Sequence, residues 1–572
     1  MDRRSLSSHS VRAVVLLAVP ALASAQLTVE QKLADFNQMA AVFAKQYAPY
    51  DWKVRTAGFD LFELKPWLDR VRGTGDDLEF ADLVYRYTAS LRDGHVQPFL
   101  PSTFQAYLGF TVDIYDGRFL VDEVDRRFLP AARYPFTVGD ELVSLDGVTP
   151  EEWVARLSHY AESGNPRTTR RFAADYITFR VQAINPFAAR IPVRSVVVIR
   201  RQSGDAETYE IPWLRFGTPI ENFGRVPSPR TAGRQTVPEP EEIRNAPEYR
   251  QLLLRLQQTR LRRPDYHSVR GFADPVPYYR LPAGYQVRLG RSAADSYISG
   301  TYQSSGFRIG HIRIADFDTN PQALVQFAGE IAFFEANTDG LVIDVTRNPG
   351  GSACFVQALL RYLIPTEFPT VSYQLRATAN WVAAYSSFLE RARALGGDAV
   401  TIQLYEMHLD ALRKALAENR GLTGPLPICS ASIAETPVTD RTGRYAGYTK
   451  PIVTLVDELS ASGADAFPAT LQDTDRATIF GFRTMGLGGV LLSIPTPLTT
   501  YSEIESGVTL GMMVRSRDVV TSEFPTTPFV ENVGVRPHAY YDYMTRDNLL
   551  QQGVPFVNAF TDAIVAAIRA SR

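Results

Sequence analysis

Two strand-to-helix junctions carry residues whose types and spacing suit acyl-transfer chemistry. The apolar, β-branched run Ile452 to Val456 ends abruptly in Ser460-Ala-Ser462-Gly463, and a helical pattern follows. A hydroxyl there sits at a helix N-terminus, where free backbone N–H groups and the dipole favour a developing negative charge. Serine is also a preferred N-cap, so Ser462 counts as a nucleophile only if a base, an orienting acid and an oxyanion hole accompany it. The second junction is Thr346-Arg347-Asn348-Pro349-Gly350-Gly351, after the run Leu341 to Val345. A glycine pair lets backbone N–H groups approach a ligand closely, as an oxyanion hole requires, although Pro-Gly marks ordinary turns too. Two such junctions in one α/β unit reinforce each other, because open sheets place ligands at the carboxyl ends of their strands.

The elements that must position these residues belong to a long chain. At 572 residues it exceeds one hydrophobic core and divides into about three or four domains. Apolar content of 45% and charged content of 21% describe an ordinary globular protein. Arg3, Arg4 and Arg12, the apolar run Val14 to Leu22 and Ala23-Ser24-Ala25 read as a secretory signal peptide over residues 1–25. Its removal leaves 57 basic and 61 acidic residues, so nothing suggests a nucleic-acid partner, which calls for a clustered basic excess. No later run is long enough to span a membrane, and an exported protein is expected. Cys354 and Cys429 are the only cysteines, and sequence leaves open whether they pair. No metal is expected: H-E-x-x-H and paired C-x-x-C are absent and the seven histidines are scattered.

Residues 26–100 read as a helical N-terminal domain, with Phe36, Met39, Ala40, Phe43 and Ala44 at helical spacing. Residues 101–215 change to short strands with turn punctuation. There Tyr107-Leu108-Gly109-Phe110 and Val138-Gly-Asp-Glu-Leu-Val-Ser-Leu-Asp-Gly147 resemble a PDZ domain, with Leu108, Gly109 and Phe110 as its peptide-binding loop. Residues 216–300 form a Pro- and Arg-rich connection with one helical piece near Tyr249 to Leu261, a surface linker or a regulatory segment. From 301 to 572 strands and helices alternate as in an α/β core, interrupted by a polar insertion at 366–448.

The blocks G-L-V-I-D-V-T-R-N-P-G-G at 340–351, V-D-E-L-S-A-S-G-A-D at 456–465 and R-A-T-I-F-G-F-R-T-M-G-L-G-G at 476–489 resemble the C-terminal processing peptidase superfamily in order and spacing. The resemblance covers roughly residues 28–215 and 300–545, and it implies a multidomain α/β fold with a ClpP/crotonase-like catalytic core. The family nucleophile falls on Ser462. Members with a Ser–Lys dyad carry the lysine in F-G-K-G, but this chain has Met485-Gly-Leu487-Gly, and leucine cannot act as a base. The tricorn-type branch instead takes its base from L-x-D-x-H and a glutamate from E-N-x-G-V, matched here by Leu91 to His95 and Glu531 to Val535. The run Ser462-Gly-Ala-Asp-Ala-Phe-Pro and the missing lysine are most similar to the secreted chlamydial members of that branch. Gly94 replaces the serine that precedes the tricorn histidine.

The resemblance implies a Ser462, His95 and Glu531 catalytic set, with Asp93 able to orient His95. Gly463 with Gly350 or Gly351 would hold the oxyanion. The expected activity is that of an exported serine endopeptidase acting on proteins or peptides without a cofactor. By the same resemblance, 225–280 would be an autoinhibitory segment removed on activation, and the active form a homodimer. The competing expectation is a catalytically inactive protein that uses the scaffold to bind a peptide or an apolar ligand.

Overall fold

The computed structural model describes residues 26–60, 63–224, 272–292, 294–318, 320–491 and 498–572. The signal-peptide reading and the helical piece at Tyr249 to Leu261 lie outside the described residues.

The strands Gly340–Asp344 and Ile452–Val456 are buried along their whole length, as expected of continuous apolar runs in a parallel sheet covered on both faces. They are the fourth and fifth strands of a seven-stranded sheet whose order is Gln286–Leu289, Ile298–Ser304, Phe307–Arg313, Gly340–Asp344, Ile452–Val456, Thr478–Gly481, Ala539–Tyr540. The first three run antiparallel to one another, and the remaining pairs are parallel. Because strand side chains alternate, Leu341 and Ile343 face one core with Phe467 and Val356, while Val342 faces another with Phe560 and Ile564 of the helix Val554–Ala570. The two chemistry-bearing junctions therefore leave neighbouring parallel strands at the same sheet end.

The helical N-terminal region comprises Val29–Gln46, Tyr50–Ala57, Lys65–Arg72 and Asp77–Ala89. It shares one core with a five-stranded antiparallel sheet ordered Phe110–Tyr115, Arg118–Val124, Glu141–Leu145, Arg194–Arg200, Ala206–Pro212. Helices Pro150–Leu157 and Pro166–Thr178 accompany that sheet, in a block that the sequence reads as strands alone. The insertion likewise contains two helices, Ala379–Ala394 and Ala399–Ala417, packed through Trp381, Tyr385, Leu389 and Leu412. Cys354 and Cys429 form a disulfide across 75 residues, tying the insertion's end to the helix Ala353–Leu360. Among the described residues, no helix is long and apolar enough to cross a membrane.

Candidate active site

The nucleophile candidate stands on a sharp turn. Ser462 has φ of 55° and ψ of −109°, a conformation that costs a side-chain-bearing residue about 1–3 kcal/mol and persists only where its surroundings impose it. Here Asp465 imposes it. Its buried carboxylate accepts from Ser462 N at 2.7 Å and Leu487 N at 3.0 Å on one oxygen, and from Gly486 N at 3.0 Å and the Thr484 hydroxyl on the other. Burial pushes Asp465 up to about 6, against the opposing pull of those four donors. The nearby Ser460 is committed elsewhere, with Oγ 2.9 Å from Val345 O and 3.0 Å from Asp457 Oδ1.

The glycine loop lies against this turn. A Cβ on Gly350 (φ 97°) would stand 2.6 Å from both Ala461 O and Gly463 N, and 2.7 Å from Ser462 Cβ. Only glycine fits, so Gly350 is what allows the two junctions to touch. Its own N–H is donated to Asn348 Oδ1 at 2.7 Å, which takes Gly350 out of the expected oxyanion donors. Gly351 and Gly463 remain: a Cβ on Gly463 would be 3.1 Å from Gly351 N, so the two backbone segments meet beside Ser462.

His95 and Asp93 follow the helix Asp77–Ala89 on a short loop, both buried. Asp93 Oδ1 accepts the His95 backbone N–H at 2.9 Å and stands 3.7 Å from His95 Nδ1. Its Oδ2 accepts from Tyr47 Oη and Thr509 Oγ1, each at 2.8 Å. Glu531 completes the cluster, with one coordinating atom from each of Asp93, His95 and Glu531 within 4.8 Å of the others. Lys53, fully buried, donates to Glu531 Oε1 at 2.5 Å, Asn532 Oδ1 at 2.6 Å and Arg92 O at 2.9 Å. Gly488 N reaches Glu531 Oε2 at 3.1 Å. Two carboxylates and an imidazole are a plausible donor set for a cation, but Lys53, Gly488, Tyr47 and Thr509 already occupy these acceptors, and Lys53 supplies the positive charge.

Electrostatics keep His95 neutral. Burial lowers it to about 4, the Asp93 carboxylate pulls it upward, and the Lys53 ammonium pushes it down. Burial and Asp93 push Glu531 up to about 8, with Lys53 and the Gly488 N–H opposing. Asp93 is held below its usual value: burial would raise it, but Lys53, His95 and the Thr509 hydroxyl prevail.

The segment 486–489 joins the halves of the site. Its N-terminal side bonds Asp465, Gly488 bonds Glu531, and a Cβ on Gly489 would be 2.7 Å from His95 Nδ1. Leu487 is buried with Leu459, Ala461 and Met485, an apolar setting hostile to an ammonium group. A Cβ on Gly94 would be 2.9 Å from Leu487 Cδ1, so the histidine loop packs directly on this segment. Gly94 and Ala461, chain neighbours of His95 and Ser462, line one apolar pocket of about 90 Å³ together with Phe172, Phe272, Met485 and Leu487.

Lys53, Tyr47, Asp465 and Thr509 escape the sequence reading. Only Asp465 leaves a trace, the S-x-x-D spacing from Ser462 that resembles a capping box. The Leu108, Gly109 and Phe110 loop is closed to a peptide carboxylate. All three residues are buried, Leu108 N donates to Thr178 O at 3.1 Å, and a Cβ on Gly109 would lie 2.4 Å from Phe128 Cδ1.

Residues 308–515 match peptidase family S41, and residues 104–222 match a PDZ domain. A protein of Chlamydia trachomatis serovar D is 26% identical over 91% of this chain and 90% of its own length. The crystal structure of mature CPAF superposes with a TM-score of 0.72 at 21% identity, covering 95% of this chain and 98% of that one. Mature CPAF complexed with lactacystin gives 0.71 at 22% identity, covering 95% and 99%. These likenesses show a shared fold, and the family match carries the activity. The chain is a serine peptidase in which a PDZ domain precedes a catalytic domain of family S41.

Proposed function

We propose that this protein is an exported endopeptidase in which Ser462 is the nucleophile and His95 its base. The observation that carries the reading is the strained Ser462 turn, braced by Asp465, with Gly351 and Gly463 on one side and the 486–489 segment leading to His95 on the other. Neutral His95 takes the Ser462 hydroxyl proton on Nε2 as Oγ attacks the scissile carbonyl. Asp93, facing Nδ1, holds the ring and stabilises the imidazolium, while Glu531, clamped by Lys53, fixes the far side of the cluster. The N–H groups of Gly463 and Gly351 hold the tetrahedral oxyanion, at about 3–4 kcal/mol per donor. Collapse releases the amine protonated by His95, and water, activated by the same base, then cleaves the acyl-enzyme.

The apolar pocket beside Ala461 and Gly94 suits an apolar substrate side chain. Phe272, the first described residue after 225–271, lines that pocket and meets the Phe172 ring edge-on at 6.2 Å. This supports a connection whose end blocks the site until it is cut. The Cys354–Cys429 disulfide suits an oxidising compartment, in keeping with export.

Labelling the mature protein with a serine-reactive fluorophosphonate, before and after limited proteolysis within 225–271, tests the assignment. Wild type is expected to label, Ser462→Ala not at all, and His95→Ala at least a hundredfold more slowly. Equal labelling of Ser462→Ala, or none by the cut wild type, would overturn it.

A further inference from the structure

Away from the candidate active site, a cavity of about 280 Å³ opens between the helix Asp77–Ala89, the helix Pro150–Leu157 and the strand Phe179–Val181. That volume lies near the lower end of small-ligand pockets, about 300–1,000 Å³. Arg180 lies in its wall at 5% exposure. Its Nε has no hydrogen-bond partner, and among the described residues no carboxylate sits within ion-pair distance of its guanidinium. The charge rests on the Trp153 ring instead, 4.5 Å from the centroid. Other deeply buried arginines are provided for: Arg171 bonds Asp113, Arg313 bonds Asp344 and Arg515 bonds Asp473. Burial lowers Arg180 to about 10, with Asp146 and Tyr160 returning only part of the loss.

An uncompensated buried cation costs several kcal/mol, and an apolar residue of similar volume would remove that cost. The walls indicate what compensates it. Trp153 Nε1 is given to Leu145 O at 3.1 Å and Trp213 Nε1 to Ser195 Oγ at 2.8 Å, so both indoles offer the cavity their apolar surfaces. Asp146 also lines it, with its oxygens taken by Ser195 Oγ and Val196 N, each at 2.8 Å. At the mouth, Arg86 and Arg190 are already paired with Asp82 and Asp76, while Arg156 stands over the Trp153 ring at 5.4 Å. A single buried, unpartnered guanidinium beside a fixed carboxylate selects a monoanion over a phosphate dianion.

We propose that this cavity binds a carboxylate attached to an aromatic or branched apolar group, with the carboxylate on Arg180 and the apolar group between Trp153 and Trp213. The C-terminal residue of a peptide and a free N-acylated amino acid share that chemistry. The site is separate from the closed Leu108–Phe110 loop and uses none of the residues assigned to catalysis.

Calorimetric titration of the full chain carrying Ser462→Ala tests this with N-acetylphenylalanine, its neutral amide, and a pentapeptide ending in phenylalanine as free acid or as amide. The free acids are expected to bind about 10–150-fold more tightly than the amides, the range for a hydrogen bond to a charged group. Binding of N-acetylphenylalanine alone assigns the site to small acids, and matched binding of the peptide acid assigns it to chain ends. Arg180→Met should abolish the acid–amide difference without lowering the melting temperature of the ligand-free protein. Acid and amide binding alike or not at all, discrimination kept by Arg180→Met, or a clear fall in that variant's melting temperature would overturn the proposal.

Discussion

The position of the acid limb in the pH profile of kcat/KM follows directly from the surroundings of His95. A general base works only when unprotonated, so with His95 as the proposed base the free-enzyme limb reports its pKa. Burial sets that value at about 4, far below the ordinary 6.5, and Lys53 adds to the depression. Lys53 Nζ is 2.5 Å from Glu531, one carboxylate oxygen of which is within 4.8 Å of the His95 and Asp93 atoms, which puts the ammonium within roughly 9.5 Å of an imidazole nitrogen. At an effective dielectric near 20, a unit charge at that distance contributes about 2 kcal/mol, or one to two pH units. Wild type should therefore keep its activity down to about pH 4.5, whereas in Lys53→Met the limb should move upward by about one unit. Asp93→Asn should move it downward, because the Asp93 carboxylate, 3.7 Å from Nδ1, stabilises the imidazolium. The assay is initial rates on a fluorogenic peptide from pH 3.5 to 8, with preincubation controls for acid inactivation. A wild-type limb near 6.5, or a Lys53→Met limb unmoved or shifted downward, would refute this electrostatic account.

Three further outcomes follow from the same contacts. Leu487→Lys places an ammonium in the Leu459, Ala461 and Met485 cluster, so it should destabilise the protein by at least about 2 kcal/mol and fail to restore cleavage to His95→Ala; rescue would show that a lysine dyad is accessible. His311, also lowered to about 4 by burial, is neutral when folded and protonated when unfolded between pH 4 and 6.5, so its contribution weakens as pH falls. The stability difference between wild type and His311→Gln in urea should therefore shrink by about 2 kcal/mol from pH 7 to 4.5, and a constant difference would contradict the sign. Reducing the Cys354–Cys429 bridge opens a 75-residue loop and should cost up to about 4 kcal/mol, read calorimetrically with and without dithiothreitol.

What could be read in advance was whatever the chain encodes locally. Leu341 to Val345 and Ile452 to Val456 announce buried parallel strands because both faces are covered, and the breaks after them expose Ser462 and the glycine pair. Trp381, Tyr385 and Leu389 recur at i, i+4, i+8, so the helices inside the insertion were also encoded, though its polar composition obscured them. Lys53 is different. In sequence it is one lysine in the short helix Tyr50–Ala57, indistinguishable from a solvated one, and only docking against Glu531, 478 residues away, buries it. The choice of oxyanion donor is also tertiary, since Gly350 and Gly351 are equivalent in sequence until Asn348 takes the N–H of the first.

The halves of the candidate site come from different parts of the chain, and that shapes how it must be held. Lys53, Asp93 and His95 arrive from the N-terminal helices, while the Ser462 turn belongs to the parallel core. The PDZ domain holds the segment that leads into the turn. Its helix Pro166–Thr178 sends Arg167 to Glu458 at 2.7 Å, Arg171 to the same carboxylate at 3.1 Å and the Thr168 hydroxyl to Glu458 O at 2.5 Å, four residues before Ser462. Arg171 is itself anchored by Asp113 of the PDZ sheet at 2.7 Å. A backbone conformation costing about 1–3 kcal/mol is kept only when its surroundings hold it on more than one side. Asp465 does so from within the core and Glu458 links it to the PDZ domain, so the geometry of the proposed nucleophile depends on docking between domains as much as on its own strand and helix.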